Sequence, residues 1–311
     1  MTTWGVDDIP DLRGQTIIVT GANSGLGFAT TSALAAHGAS VVMAVRDPQK
    51  GTQALSRIQA QFPQATVEVA RLDLASLASI TQFAAHFMEH HAHLHVLINN
   101  AGVMALPPRQ TADGFEMQFG TNHLGHFALT GALFPLLRQQ PQARVVTLTS
   151  FLHRSGHIDF ADLQGRQHYR PWVAYSQAKL ANLLFAFELQ RRVDAAGIPL
   201  LSMAAHPGYA ATNLQAAGPQ MEGNRFKRLG TQLGNALFAQ SAADGALPTL
   251  YAATAPQSVG GGFYGPANFG GMRGAPTAVR GAPQAYAVDV AQRLWQVSEE
   301  LTGMHYLDGA P

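Results

Sequence analysis

The chain has 311 residues, enough to bury a large core, and a doubly wound α/β unit of this size commonly forms a single domain. Its 20 Lys and Arg against 19 Asp and Glu leave no net field, which speaks against nucleic acid or an anionic membrane as partner and for small-molecule chemistry. The absence of cysteine excludes disulfides, thiolate catalysis and Cys-ligated zinc or iron–sulfur clusters, and suits a reducing cytoplasm. Residues 1–14 lack the basic start and apolar run of a signal peptide, and no segment offers about 18 uninterrupted apolar residues, so the sequence reads as soluble.

In chain order, Gln15 to Thr20 is a short apolar run between Gly14 and Gly21, which suits a strand buried on both faces. Phe28 to His37 carries helical spacing and ends at Gly38. The alternation continues with a strand at Ser40–Val45, a helix at Pro48–Gln61, a strand at Thr66–Leu72, a helix at Leu77–His90 and a strand at Leu94–Asn99. A polar loop precedes a long helix at Asp113–Arg138, a strand at Arg144–Thr149, a helix at Pro171–Asp194 and a sixth strand at Leu200–Ala205. Gly, Pro, Asn and Gln then interrupt the pattern, and residues 208–235 read as a lid over a site. A helix follows near Ser241–Ala253. Ser258 to Pro283 is rich in Gly and Pro and reads as irregular apart from a short strand at Phe263-Tyr264, before a final helix at about Ala285–Leu301. Strands alternating with helices predict a parallel sheet of about seven strands covered on both faces.

The chemistry-bearing residues fall at the carboxyl ends of these strands, where open α/β sheets bind ligands. Gly21, Asn23, Ser24, Gly25, Leu26 and Gly27 follow the first strand and open the first helix. Glycines there permit a tight turn and let backbone N–H groups and the helix N-terminus approach a pyrophosphate. Arg46 ends the second strand, where a basic residue favours the 2′-phosphate of NADP(H) over the bare ribose of NAD(H), and its fork can hold a phosphate through two bonds. Asp47 beside it reverses that preference if it, and not Arg46, points inward. Asp73 and Leu74 are placed to meet the adenine edge, and Asn100, Ala101 and Gly102 to line the adenosine ribose and pyrophosphate. Tyr175 and Lys179 stand four apart on a helix, about one turn, so phenol and ammonium share a face. A cation beside a phenol lowers a pKa that is ordinarily about 10.

With Ser150 ending the fifth strand and Asn122 in the long helix, the set resembles the short-chain dehydrogenase/reductase family. The matches are Thr20-Gly-x-x-x-Gly-x-Gly27, Asp73, Asn99-Asn-Ala-Gly102, Asn122, Ser150, Tyr175-x-x-x-Lys179 and His206-Pro-Gly-x-x-x-Thr212, in family order over residues 14–265. The segments Asp113 to Phe127 and Ser176 to Asn182 are similar to the branch of the retinol dehydrogenases and the WW-domain oxidoreductase. The resemblance implies a Rossmann-type fold as a single domain, core about 14–265 with a C-terminal extension 266–311, and an alcohol dehydrogenase or carbonyl reductase activity. It implies Tyr175 as general acid/base, Lys179 on the nicotinamide ribose lowering the Tyr175 pKa, Ser150 holding the carbonyl, and Asn122 linking Lys179 through water to solvent. Pro207, Gly208 and Thr212 would meet the nicotinamide end. Helices 113–138 and 171–194 form a dimer bundle in many members, so homodimer, homotetramer and monomer all stay open.

Two features depart from the family. Ser150 and Tyr175 are 25 apart, which makes 151–170 an extra excursion near the site, and the N-terminal anchor of membrane-associated members is not matched, so no membrane role is assigned. His90, His91, His93 and His95 crowd the fourth strand, and the last three would share a face if extended, yet solvated histidines are the simpler reading and no metal is assigned. Ser150 with His153 and His157 lacks the Gly-x-Ser-x-Gly elbow of a hydrolase. Leu214, Met221, Phe226, Leu229 and Leu233 in the lid hint at a hydrophobic substrate. Reduction of an activated C=C bond and a non-catalytic dinucleotide sensor or scaffold remain the alternatives.

Overall fold

The structure, a computed structural model, describes residues 3–209 and 240–307. Eight strands form one sheet in the order β3-β2-β1-β4-β5-β6-β7-β8. They are β1 (Thr16–Thr20), β2 (Ser40–Val45), β3 (Val67–Arg71), β4 (Val96–Asn99), β5 (Ala143–Leu148), β6 (Leu200–Ala205), β7 (Phe263–Asn268) and β8 (Arg273–Ala278). All pair in parallel except β7 with β8. The chain runs outward from β1 to β3, then crosses back to β4 on the other side of β1. That reversal opens a crevice at the carboxyl ends of β1 and β4.

Alternation along each strand sends residues to opposite faces. Ile17, Val19, Met43 and Ile98 join the core beneath α1 (Gly25–Ala36), α2 (Pro48–Gln61) and α6 (Ala242–Thr254). Ile18, Val42, Leu97 and Val145 join the core beneath α3 (Leu77–His90), α4 (Gly125–Leu137) and α5 (Pro171–Ala195). Both faces are therefore dry, and the strands read as continuous apolar runs.

Three elements differ from the sequence-based expectation. The long helix begins at Met117, not Asp113: the Asp113 carboxylate accepts 3.0 Å from Leu77 N–H at the start of α3, while Glu116 caps the new turn by accepting from Gln118 and Phe119 N–H. Helical turn Met117–Phe119 passes through a wide π-turn, Gly120–Leu124, into α4. The segment read as mostly irregular forms a two-strand hairpin, β7 and β8, raising the count from seven to eight. Pro266 and Pro276 sit opposite each other in that pair. Pro276 lies on the edge strand β8, and Pro266 lies past Tyr264, the last residue of β7 paired with β6, so neither position needs an N–H on its outer side.

The C-terminal segment closes the core. Trp295 of α7 (Val288–Thr302) packs 5.0 Å from Phe127 of α4, 5.9 Å from Phe185 of α5 and 4.9 Å from Tyr306, ring centre to ring centre. At Gly131 of α4 an added Cβ would lie 2.5 Å from Met304 and 2.6 Å from Tyr306, so only glycine admits this approach. The shared surface of α4 and α5 is covered by the chain's own tail. No helix among the described residues is long and apolar enough to cross a membrane.

Candidate active site

A cleft of about 700 Å³ lies along the carboxyl ends of the strands. Gly21, Asn23, Ser24, Gly25, Leu26 and Gly27 line it between β1 and α1. Gly21 and Gly25 have φ of 66° and 54°, which side chains rarely adopt. A Cβ at Gly27 would lie 2.3 Å from the Gly21 carbonyl oxygen and 2.6 Å from Asn100 Nδ2. Ser24, the N-cap of α1, makes no capping bond with its side chain. A turn this tight, leading into an uncapped helix N-terminus, fits a pyrophosphate.

The turn is held from beneath. Thr20 Oγ1 accepts 2.9 Å bonds from both Asn100 and Ala101 N–H, and Asn100 Nδ2 donates 2.7 Å to the Thr20 carbonyl. His126, buried and held at a pKa of about 4 by desolvation, shares a 2.9 Å bond with Thr20 Oγ1 through Nε2. Its Nδ1–H faces the Asn122 carbonyl at 2.9 Å, which leaves Nε2 to accept the threonine proton. One hydroxyl thus ties β1 to the loop after β4 and to the π-turn.

At the ribose end Arg46 lines the cleft with Asp73 and Leu74, whereas Asp47 does not. The Asp47 carboxylate caps α2, accepting from Gln49 and Lys50 N–H at 3.1 and 3.2 Å, and those bonds hold its pKa below the usual carboxylate range, the Lys50 N–H most of all. The sequence left open which of the two faces inward; the capping bonds decide it.

At the other end Ser150, Tyr175 and Lys179 line the cleft together. The Ser150 hydroxyl accepts 3.3 Å from Leu152 N–H and lies near enough to the Tyr175 phenol to lower its pKa. Lys179 Nζ donates 3.1 Å to the Leu148 carbonyl and lies 5.8 Å from the Tyr175 ring centre. The expected lowering of the Tyr175 pKa by Lys179 is not found. Burial pushes the phenol up to about 12, opposed by the neighbouring Ser150 hydroxyl, and burial brings the Lys179 ammonium down to about 8. Desolvation is the leading cause of both shifts.

Asn122 sits behind the wall instead of facing the cleft. Its Oδ1 accepts 2.8 Å from Val103 N–H and its Nδ2 donates 2.9 Å to the Val103 carbonyl, so the amide holds the loop after Asn100, Ala101 and Gly102, which line the cleft. The Asn122 backbone carbonyl accepts from His126 Nδ1–H and keeps a second lone pair. Gly102 lies between Asn122 and Lys179: a Cβ there would be 3.2 Å from Asn122 Oδ1 and 3.5 Å from Lys179 Nζ.

Pro207 and Gly208 line the cleft as expected; Thr212 and nearly all of the lid read at 208–235 lie outside the described residues. Sequence reasoning missed Met104, Trp172, Tyr209 and Met272, which with Phe151 and Leu152 of the excursion give the cleft an apolar rim. Met272 arrives there only through the β7–β8 hairpin, whose backbone receives a 3.0 Å bond from Tyr209 N–H. The histidines scatter: His91 pairs with Glu68, His93 with Gln140, and His95 accepts from Thr16 N–H. His86, Glu89 and His90 instead come within 4.8 Å of one another on the surface of α3, toward the amino end of β4 and away from the cleft. His153 directs Nδ1 at the Ser150 carbonyl, not at its hydroxyl, which removes the base a hydrolase would need.

A crevice at a strand-order reversal, floored by a glycine turn and closed by a buried phenol, defines the class: a nucleotide-dependent oxidoreductase. The sequence profile of the short chain dehydrogenases matches residues 15–223, and the chain belongs to that family, whose cofactor is a nicotinamide dinucleotide. Human retinol dehydrogenase 13 is 41% identical over 298 residues, covering 94% of this chain and 86% of that protein. Mouse polyprenol dehydrogenase is 43% identical over 263 residues, covering 82% and 76%. A crystal structure from Mycobacterium paratuberculosis superposes with a TM-score of 0.81 at 44% identity, covering 98% of this chain and 99% of that one.

Proposed function

We propose that this protein is an NADP(H)-dependent oxidoreductase that reduces a carbonyl of an apolar small molecule, or oxidises the matching alcohol, with Tyr175 as the proton donor or acceptor. The observation that carries the reading is that Ser150, Tyr175 and Lys179 line the same cleft as the glycine turn, with the Ser150 hydroxyl near enough to the phenol to lower its pKa.

The uncapped start of α1 would hold the pyrophosphate, Arg46 a 2′-phosphate, and Asp73, Asn100 and Gly102 the adenosine side. When bound, the reduced nicotinamide supplies a hydride to the carbonyl carbon. Tyr175, neutral at working pH because burial holds its pKa at about 12, gives its proton to the carbonyl oxygen as the new C–H bond forms. The Ser150 hydroxyl donates to that same oxygen, and the Lys179 ammonium favours the phenolate left behind. Alcohol oxidation runs these transfers in reverse. Arg46 facing the cleft while Asp47 caps α2 supports NADP(H) over NAD(H).

The rim formed by Met104, Phe151, Leu152, Trp172, Tyr209 and Met272 supports an apolar substrate. Retinol and polyprenol, named in two relatives, are both long apolar alcohols. The test is NADPH consumption over a panel of ketones, aldehydes and enones with the products identified. Carbonyl reduction that disappears in Tyr175→Phe, with NADPH still bound, is the expected result. A saturated C–C product with the carbonyl intact would replace it by C=C reduction, and silence across the panel would favour a dinucleotide sensor.

A further inference from the structure

We infer that His153 is a positioning residue for Ser150, holding the serine from behind and coupling it to the C-terminal segment; this rests on the role given to Ser150 above. Ser150 stands just past the end of β5. Thr149 is still tied to the sheet, its N–H donating 2.9 Å to the Ala205 carbonyl, but the Ser150 carbonyl is held by His153 instead. It accepts 3.0 Å from the His153 backbone N–H and 2.7 Å from His153 Nδ1. The other ring nitrogen, Nε2, receives a 3.2 Å bond from Ala282 N–H.

These partners allow one form of the ring. A carbonyl can only accept and an amide N–H can only donate, so Nδ1 carries the proton and Nε2 is bare. An imidazolium would set N–H against N–H at Ala282. The ring is 1% exposed, lies edge-on to Phe263 at 5.5 Å, and shares that phenyl with His206 of the Pro207-Gly208 stretch, 5.3 Å away. Gln284 fastens the same segment by donating to the Arg154 and Gly156 carbonyls at 2.9 and 3.2 Å. Rotation of the Ser150 peptide would carry its hydroxyl away from Tyr175, and the His153 ring resists that rotation together with the His153 backbone N–H and the 3.3 Å bond from Leu152 N–H to Ser150 Oγ. His153 thus joins residues more than a hundred positions apart to the acid/base pair without touching the cleft.

The experiment uses the full-length protein and the aldehyde or ketone it turns over fastest with NADPH. His153→Ala is expected to lower kcat roughly 10- to 100-fold, a fraction of what loss of an oxyanion donor costs, with KM and the NADPH Kd changed less than about twofold. His153→Asn, whose Nδ2 can stand near the place of Nδ1, is expected to recover most of that loss. The double variant Ser150→Ala/His153→Ala is expected to be no slower than Ser150→Ala alone, because His153 acts only through the serine. Ala282→Pro removes the N–H at a residue whose φ of −65° already suits proline, and is expected to slow turnover several-fold. Wild-type turnover in His153→Ala, no recovery with Asn, or a double variant slowed by the product of the two single losses would overturn the inference. If His153→Ala does not fold, Ala282→Pro turning over at the wild-type rate overturns it. A fast Ser150→Ala would remove the role of the serine itself, and this inference with it, whereas a slow Ser150→Ala beside a fast His153→Ala removes only this one.

Discussion

Lys179 Nζ stands over the Tyr175 ring, 5.8 Å from its centre, and donates a 3.1 Å bond to the Leu148 carbonyl, so one ammonium touches both the phenol ring and the end of β5. Burial then governs each separately, raising the phenol to about 12 and lowering the ammonium to about 8.

The pH profile of carbonyl reduction follows from those two values. Tyr175 stays protonated across the neutral range, so its own titration does not limit the acid step. Lys179 loses its charge as pH rises through about 8, and kcat for reduction is expected to fall over that interval. A profile flat to about pH 10 would detach Lys179 from the step.

Arg46 reaches the cleft while Asp47 is held by the start of α2. Arg46→Ala is expected to weaken NADPH binding by about tenfold or more, the value of one charge-assisted contact, and to leave NADH binding unchanged. Fluorescence titration with both dinucleotides measures this; equal losses for the two would place Arg46 away from the 2′-phosphate.

Thr20 Oγ1 serves two backbone donors and one imidazole at once. Thr20→Val keeps the volume but takes the acceptor from Ala101 N–H and the donor from His126 Nε2, while Asn100 N–H keeps the Ile98 carbonyl, and is expected to destabilise the fold by about 1–3 kcal/mol. Thr20→Ser should restore most of it. Denaturant unfolding of the three proteins checks the order, and a valine variant as stable as wild type would show that the network contributes nothing net.

Trp295 fills the space between Phe127, Phe185 and Tyr306 and is 2% exposed. Trp295→Ala is expected to cost about 3–5 kcal/mol, as for other large core truncations. It also uncovers the face of α4 and α5 that the tail occupies. Light scattering beside the unfolding curve tests whether the variant's association state changes; a variant with wild-type stability would mean the tail packs loosely.

Local signals carried much of the fold. The spans Pro48–Gln61, Leu77–His90, Ser40–Val45 and Leu200–Ala205 match their elements end to end, because Pro at a helix start, Asp47 and Ser76 as caps, and unbroken apolar runs act within a few residues. The β7–β8 hairpin was hidden, since its Gly and Pro content contradicts strand propensity and is tolerated only because β8 is the edge strand and β7 runs past its pairing with β6. The start of the long helix was misplaced for a similar reason: Asp113, read as its first residue, instead accepts from Leu77 N–H at the start of α3, 36 residues earlier.

By itself the sequence determined the alternation of strands and helices, the glycine turn, and the four-residue spacing of Tyr175 and Lys179, all of which depend on backbone geometry within one element. Only the tertiary structure decided which of Arg46 and Asp47 meets the cleft, that the Asn122 amide holds Val103, that Met272 joins the rim, and that His153 grips the serine. Each of these is a choice among hydrogen-bond partners or dielectric surroundings supplied by distant segments. The Tyr175 pKa shows the division most clearly: spacing put a cation beside the phenol, and burial, a property of the whole fold, reversed the direction of the shift.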